Sequence, residues 1–181
     1  MKRYFFLLLI SILLLSLIFV SCSGENRSSQ QQSEMSQAET AEPSAAPDFE
    51  VKTLDGETVS LQKSLDKGKP VVVYFTASWC PTCARNWPVL SEVYPEFEDR
   101  LTLVAISIDP TDTEEVMRNL AAERNFRFPS TKGHPDIMVD FGVDRQATTV
   151  GVNLEGDIAF KRTGEALSAD QFRELFTGLL N

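Results

Sequence analysis

An α/β domain, with a central sheet flanked by helices and a β-hairpin at its start, is what the sequence predicts from residue 47 onward. Three observations point there. Two continuous apolar, β-branched runs, "PVVVYFTA" and "LTLVAISI", have the texture of strands buried on both faces. Each is followed by a segment with helical spacing or helix-start signals. The C-terminal part then reads as two strands and a closing helix, so strands alternate with helices before a terminal hairpin.

Each element has its own justification. "FEVKTLDGETVSL" alternates apolar and polar residues on both sides of Asp55-Gly56, which predicts the first hairpin. "CARNWPVLSEVYPEFEDR" has helical spacing, with Trp87, Leu90, Val93, Tyr94 and Phe97 near one face, and Pro88 is expected to kink it. Thr111, Asp112 and Thr113 offer caps to "EEVMRNLAAERN", whose first turn is acidic as the helix dipole prefers. "HPDIMVDFGV" is a short helical candidate. "TTVGVNLEGDIAFKR" predicts two strands turning at Glu155-Gly156-Asp157, and Ser168 with Gln171 forms a capping box for "ADQFRELFTGLLN".

The chain's 181 residues leave room for one domain with a sizeable core. A net charge of -9 argues against nucleic acid and anionic lipid head groups as partners, since both would be repelled. The first segment, "MKRYFFLLLISILLLSLIFVSC", places Lys2 and Arg3 before a stretch that is apolar from Tyr4 to Val20 except at Ser11 and Ser16. That length fits both a membrane-spanning helix and a secretory signal. Its ending, "FVSC", resembles a bacterial lipoprotein signal, cleaved just before a cysteine that is then lipidated, although Phe19 replaces the usual leucine. The expected division is a signal peptide over 1–21, a lipidated Cys22 with a flexible linker over 22–46, and a folded domain over 47–181. An uncleaved anchor helix is the alternative; either way the domain sits outside the cytoplasm, tethered to a membrane. Residues 23–46 contain no aromatic side chain, and Met35 is their only large apolar one. Such a segment cannot bury enough surface to offset its ordering entropy.

Three cysteines are an awkward number in an oxidising compartment, and lipidation of Cys22 leaves Cys80 and Cys83 as a pair. They lie in "TASWCPTCARNWP", after a buried strand and at the opening of a helix. There the helix's first amides and its dipole stabilise a thiolate, the species that attacks disulfides. A second sulfur one helical turn along is near enough to close a disulfide and release a substrate. Cys80 is therefore expected to be exposed as the nucleophile and Cys83 more buried as the resolving thiol. Covalent haem attachment would need a histidine after the second cysteine, where Ala84 stands. A structural zinc site needs four ligands, and with Cys22 lipidated the chain offers two thiols and the lone His134. A buried structural pair is the remaining alternative.

"DFEVKTLDGETVSL", "GKPVVVYFTASWCPTCARNWPVL" and "FGVDRQATTVGVNLEGDI" together resemble the thioredoxin superfamily, and within it the membrane-anchored, TlpA-like redoxins. The resemblance spans roughly residues 47–181. It implies a thioredoxin fold with a central mixed β-sheet and an added N-terminal hairpin. It also implies dithiol exchange with protein thiols and disulfides of the bacterial cell envelope or periplasm, including those of cytochrome c maturation. No cofactor beyond the dithiol is implied, and no metal. Carried over by position, Cys80 matches the attacking cysteine, Cys83 the resolving one and Trp79 the aromatic residue beside them. Pro81 and Thr82 fill the dipeptide that tunes the potential.

The chain departs from that pattern at three places. Where the superfamily has a cis-proline facing the active site, this chain has Ala147. A cis bond before a non-proline residue costs about 3–4 kcal/mol, so Gln146-Ala147 is expected to be trans. Asn86 stands where the TlpA-like group often carries a glutamate, and it is expected to be solvated. Tyr74 stands where thioredoxin has a buried aspartate, and it reads as core. Both acids are thought to help move the resolving cysteine's proton, so slower exchange is expected.

Other readings share the fold. "AISIDPTDTEEV" is similar to a stretch of Sco-type copper-handling proteins, but those space their cysteines one residue further apart and place a ligand histidine where Arg145 stands. Peroxiredoxin-type peroxidases need a threonine three residues before the attacking cysteine; that position is Ala77, with Thr76 one step out of register. A catalytically degenerate binding module would explain the missing proline, whereas retention of Trp79 and both cysteines speaks for catalysis.

Overall fold

This computed structural model describes residues 44–181, so the expected signal peptide, the expected lipidation site at Cys22 and the expected linker up to residue 43 lie outside the described residues. The expected hairpin comes first. Strand β1 (Glu50–Lys52) pairs antiparallel with β2 (Thr58–Ser60), Val51 opposite Val59. Its turn needs Gly56, which sits at φ +90°, a region side-chain-bearing residues avoid. A five-residue helix, α1 (Leu61–Leu65), follows directly, capped by Ser60, whose hydroxyl accepts the Lys63 N–H. The sequence predicts no element there, because five residues are too few to display a helical period.

The main sheet has five strands: β3 (Val71–Thr76), β4 (Thr102–Ser107), β5 (Ser130–Gly133), β6 (Thr148–Val152) and β7 (Ile158–Arg162). Their order is β5-β4-β3-β6-β7. β4 runs parallel to β3 and β5 parallel to β4, while β6 is antiparallel to β3 and β7 to β6. The connecting helices are α2 (Pro81–Val93), α3 (Glu114–Glu123), α4 (Pro135–Asp140) and the C-terminal α5 (Ala169–Gly178). This is the mixed sheet flanked by helices of a thioredoxin fold.

The central position of β3 follows from its sequence. All six of its residues are buried, and successive side chains alternate between two cores. Val72 and Tyr74 join Leu103 and Ala105 against Trp87, Leu90 and Val93 of α2 and Phe172 and Phe176 of α5. Val71, Val73 and Phe75 face the other way, toward Val51, Leu61, Ile137 and Phe141. Burying each large apolar side chain contributes about 1.5–3 kcal/mol, so this strand anchors both layers. The sheet thereby fixes the point where β3 ends and α2 begins.

Several boundaries differ from expectation. The long helix predicted through Arg100 stops at Val93 and tightens into a 3₁₀ turn over Tyr94–Glu96, where Pro95 has no N–H to continue it. Pro88 does lie inside α2. β5 is an addition to the expected elements: its "STKG" has no strand texture, and its pairing of Ala105 with Ser130 and Ser107 with Gly133 makes it a strand. The capping box of α5 is present, whereas α3 is capped by Thr113 and not by Asp112, which turns inward. Ser44 to Ala46, expected to belong to the linker, are tied to the β6–β7 turn. Ile158 N–H donates to the Ser44 carbonyl and Ala46 N–H to that of Gly156. Among the described residues no helix is long and apolar enough to cross a membrane.

Candidate active site

Cys80 is the N-cap residue of α2, in extended backbone at φ −80° and ψ 113°, with Pro81 in the first turn behind it. Proline suits that place because the missing N–H would have had no intrahelical partner. Cys80 and Cys83 are joined by a disulfide, their Cα atoms 5.2 Å apart. The Cys83 N–H donates to Cys80 Sγ at 3.0 Å, so the orphan amide of the helix start points at the first sulfur. Cys83 is fully buried, as expected. Cys80 corrects the expectation of exposure: it is only 2% exposed, because its side chain turns back over the helix start and is bonded to Cys83.

The loop feeding Cys80 is a tight turn closed by Cys80 N–H donating to the Ala77 carbonyl. Its two central residues are each held by an aspartate from the loop after β4. Ser78 donates its N–H and hydroxyl to the Asp112 carboxylate at 2.9 and 2.6 Å. Trp79, 57% exposed, donates its indole N–H to Asp109. Asp109 also accepts the Thr111 hydroxyl and N–H, and these bonds, with the Trp79 one, hold its carboxyl below the usual carboxylate range. A Cβ on Gly133 would overlap the Asp109 carbonyl oxygen, so a glycine in β5 is what lets this loop pass so close. Ser78, Asp109 and Asp112 carry no site signal in the sequence, where Asp112 has the look of one more helix cap.

Asn86 corrects a second expectation. It is fully buried rather than solvated, and all of its amide is used. Its Nδ2 donates to the Tyr74 hydroxyl at 3.1 Å and the Glu165 carbonyl at 2.8 Å, and its Oδ1 accepts the Leu167 N–H at 2.9 Å. It fastens the segment before α5 to α2. Tyr74 is core, as expected, and burial pushes its phenol well above the ordinary tyrosine range despite the Asn86 bond. Thr82 accepts a hydrogen bond from the Arg85 guanidinium.

Ala147 sits in the same buried cluster as Cys80 and Cys83. It has φ +57°, a left-handed conformation costing a residue with a Cβ about 1–2 kcal/mol, and there is no cis peptide among the described residues. Gln146 beside it is half-buried, and Thr148 closes the turn by donating its hydroxyl to the Arg145 carbonyl. Arg145 itself is exposed and paired with Asp144. Thr76 is committed elsewhere, its hydroxyl accepting the Trp87 indole N–H at 3.0 Å. His134 stands at the N-terminus of α4, half-buried, and desolvation lowers its pKa.

A disulfide at the mouth of a helix, over a five-stranded mixed sheet, defines a thiol–disulfide oxidoreductase of thioredoxin fold, and comparison with known proteins agrees. The chain belongs to the AhpC/TSA family, whose profile matches residues 43–164. Thioredoxin-like protein YneN of Bacillus subtilis (strain 168) is 34% identical over 118 residues, 65% of this chain and 68% of that one. A thiol-disulfide oxidoreductase ResA of Bacillus cereus is 30% identical over 122 residues, 66% of this chain and 68% of its own. Among solved structures, MTB dsbF in its mixed oxidized and reduced forms superposes with a TM-score of 0.63 at 28% identity, covering 72% of this chain and 94% of that one.

Proposed function

We propose that this oxidoreductase is held to a membrane of the bacterial cell envelope by a lipid on Cys22. There it exchanges disulfides with envelope proteins, those of cytochrome c maturation among them, with Cys80 attacking and Cys83 resolving. The carrying observation is the bonded pair at the start of α2, with the Cys83 N–H aimed at Cys80 Sγ. In the reducing direction the Cys80 thiolate attacks a partner disulfide, forming a mixed disulfide and expelling one partner thiolate. The Cys83 thiolate then attacks Cys80 Sγ, re-forming the intramolecular bond and expelling the second. Two electrons pass to the partner, and the dithiol is the only redox group required. The basic, apolar and cysteine-terminated N-terminus supports the tether.

Titration of the purified protein in glutathione buffers, with free thiols counted by alkylation, tests the redox role. A single reversible two-electron transition is expected; thiols that never pair would sink it. For the tether, the protein should fractionate with membranes and carry acyl mass, and Cys22→Ser should abolish that mass. An unmodified wild-type Cys22 would favour the uncleaved helix.

A further inference from the structure

We infer that Asp112 is a positioning residue for the dithiol: by gripping Ser78 it fixes Cys80 where it pairs with Cys83, and so favours the oxidised protein. Its side chain is 2% exposed and lies in none of the ion pairs of the described residues. Three donors converge on its two oxygens instead: the Ser78 N–H, the Ser78 hydroxyl and, at 2.5 Å, the Ser107 hydroxyl. The Ser107 oxygen accepts the Asp109 N–H, which leaves the serine proton free to point at Asp112. All three partners donate, and a carboxylate, with two acceptor oxygens, can satisfy them together.

Asp112 is itself immobilised. Its N–H donates to the Asp109 carbonyl and its carbonyl accepts the Gly133 N–H, so the grip on Ser78 is backed by the loop after β4 and by β5. Ser78 in turn is the first central residue of the Ala77–Cys80 turn, whose last residue caps α2. Two consequences share one sign. A rigid turn holds Sγ of Cys80 beside Cys83 and raises the effective concentration for closing the bond. A buried negative charge hydrogen-bonded to the turn two residues before Cys80 disfavours the thiolate, and hence the reduced form. Both stabilise the disulfide.

The role presupposes the redox reading of Cys80 and Cys83. Its test is the equilibrium in which the protein disulfide and two glutathione thiols give the protein dithiol and glutathione disulfide, two electrons and two protons passing to the protein. Asp112→Asn preserves shape but turns one acceptor oxygen into a donor group and removes the charge. It should raise the equilibrium constant for reduction about tenfold, which is ~30 mV for a two-electron couple. Ser78→Ala keeps the charge and the backbone bond but loses one of two ties, and should shift the constant the same way by about threefold. An Asp112→Asn protein that loses thermal stability while keeping the wild-type potential overturns the role, since a merely structural contact acts on folding alone. If that variant does not fold, Ser78→Ala decides: an unshifted potential overturns the inference, and the shift upholds it. A wild type that never equilibrates with glutathione instead overturns the redox reading itself, and this role with it.

Discussion

Cys83→Ser should accumulate as a mixed disulfide through Cys80, whereas Cys80→Ser should lose exchange altogether, by at least about a thousandfold in rate. The asymmetry comes from the helix start. Position 80 is the N-cap, where the first amides favour a thiolate, and the Cys83 N–H points at its sulfur. Removing Cys83 leaves that nucleophile in place but deletes the one other thiol among the described residues, the one able to release the partner. A serine at 80 offers a hydroxyl that does not ionise near neutral pH, so nothing attacks. Non-reducing electrophoresis of the variants after reaction with a model disulfide protein separates the two outcomes. Equal trapping by both would remove the assignment of attacking and resolving roles. Each variant also loses the short covalent loop, which in the chain-entropy account contributes about 2 kcal/mol at this three-residue separation. A lower unfolding midpoint than the oxidised wild type is therefore expected, and reduced wild type is the right stability control.

Much of this site is legible in the sequence, because strong local signals agree there. β3 advertises its burial on two faces through six consecutive apolar or β-branched residues, and the cysteine spacing locates the helix start. What escapes is tertiary. β5 is a strand only because β4 offers it a ladder, so "STKG" alone has no period. Cys80 looks exposed on the logic that a nucleophile must be reached, yet in the disulfide state its sulfur folds over its own helix. Asp112 has a cap's identity and a cap's position, one residue before the true cap. Its partner Ser78 is 34 residues away along the chain, and no local pattern links them. Ala147 is readable as a departure, but not that its backbone takes a left-handed turn.

Asn86 is the least legible residue and predicts the largest stability effect. Polar residues in helices are mostly solvated, and its partners in the 165–167 segment lie about eighty positions downstream. Asn86→Ala strips the donor from the Glu165 carbonyl and the Tyr74 hydroxyl and the acceptor from the Leu167 N–H, all around a fully buried side chain. With each unsatisfied buried group costing ~1–3 kcal/mol, partly relieved by relaxation, a loss of about 3–5 kcal/mol is expected in urea unfolding. Asn86→Asp makes a sharper test. Its carboxylate would keep the Leu167 bond but face the Glu165 carbonyl oxygen, with burial raising its folded-state pKa. A raised folded pKa means stability that is present below the unfolded carboxylate value near ~4 and lost as pH climbs through the folded one. The variant should therefore approach wild-type stability in acid and fall away toward neutrality. Tyr74 obeys the same sign at the other end of the scale. Its phenol is held above the usual range by burial, so the stability it lends is complete below about pH 10 and declines above it. An Asn86→Asp protein that is flat with pH, or an Asn86→Ala protein as stable as wild type at neutrality, would mean that α5's leading segment does not depend on this strut.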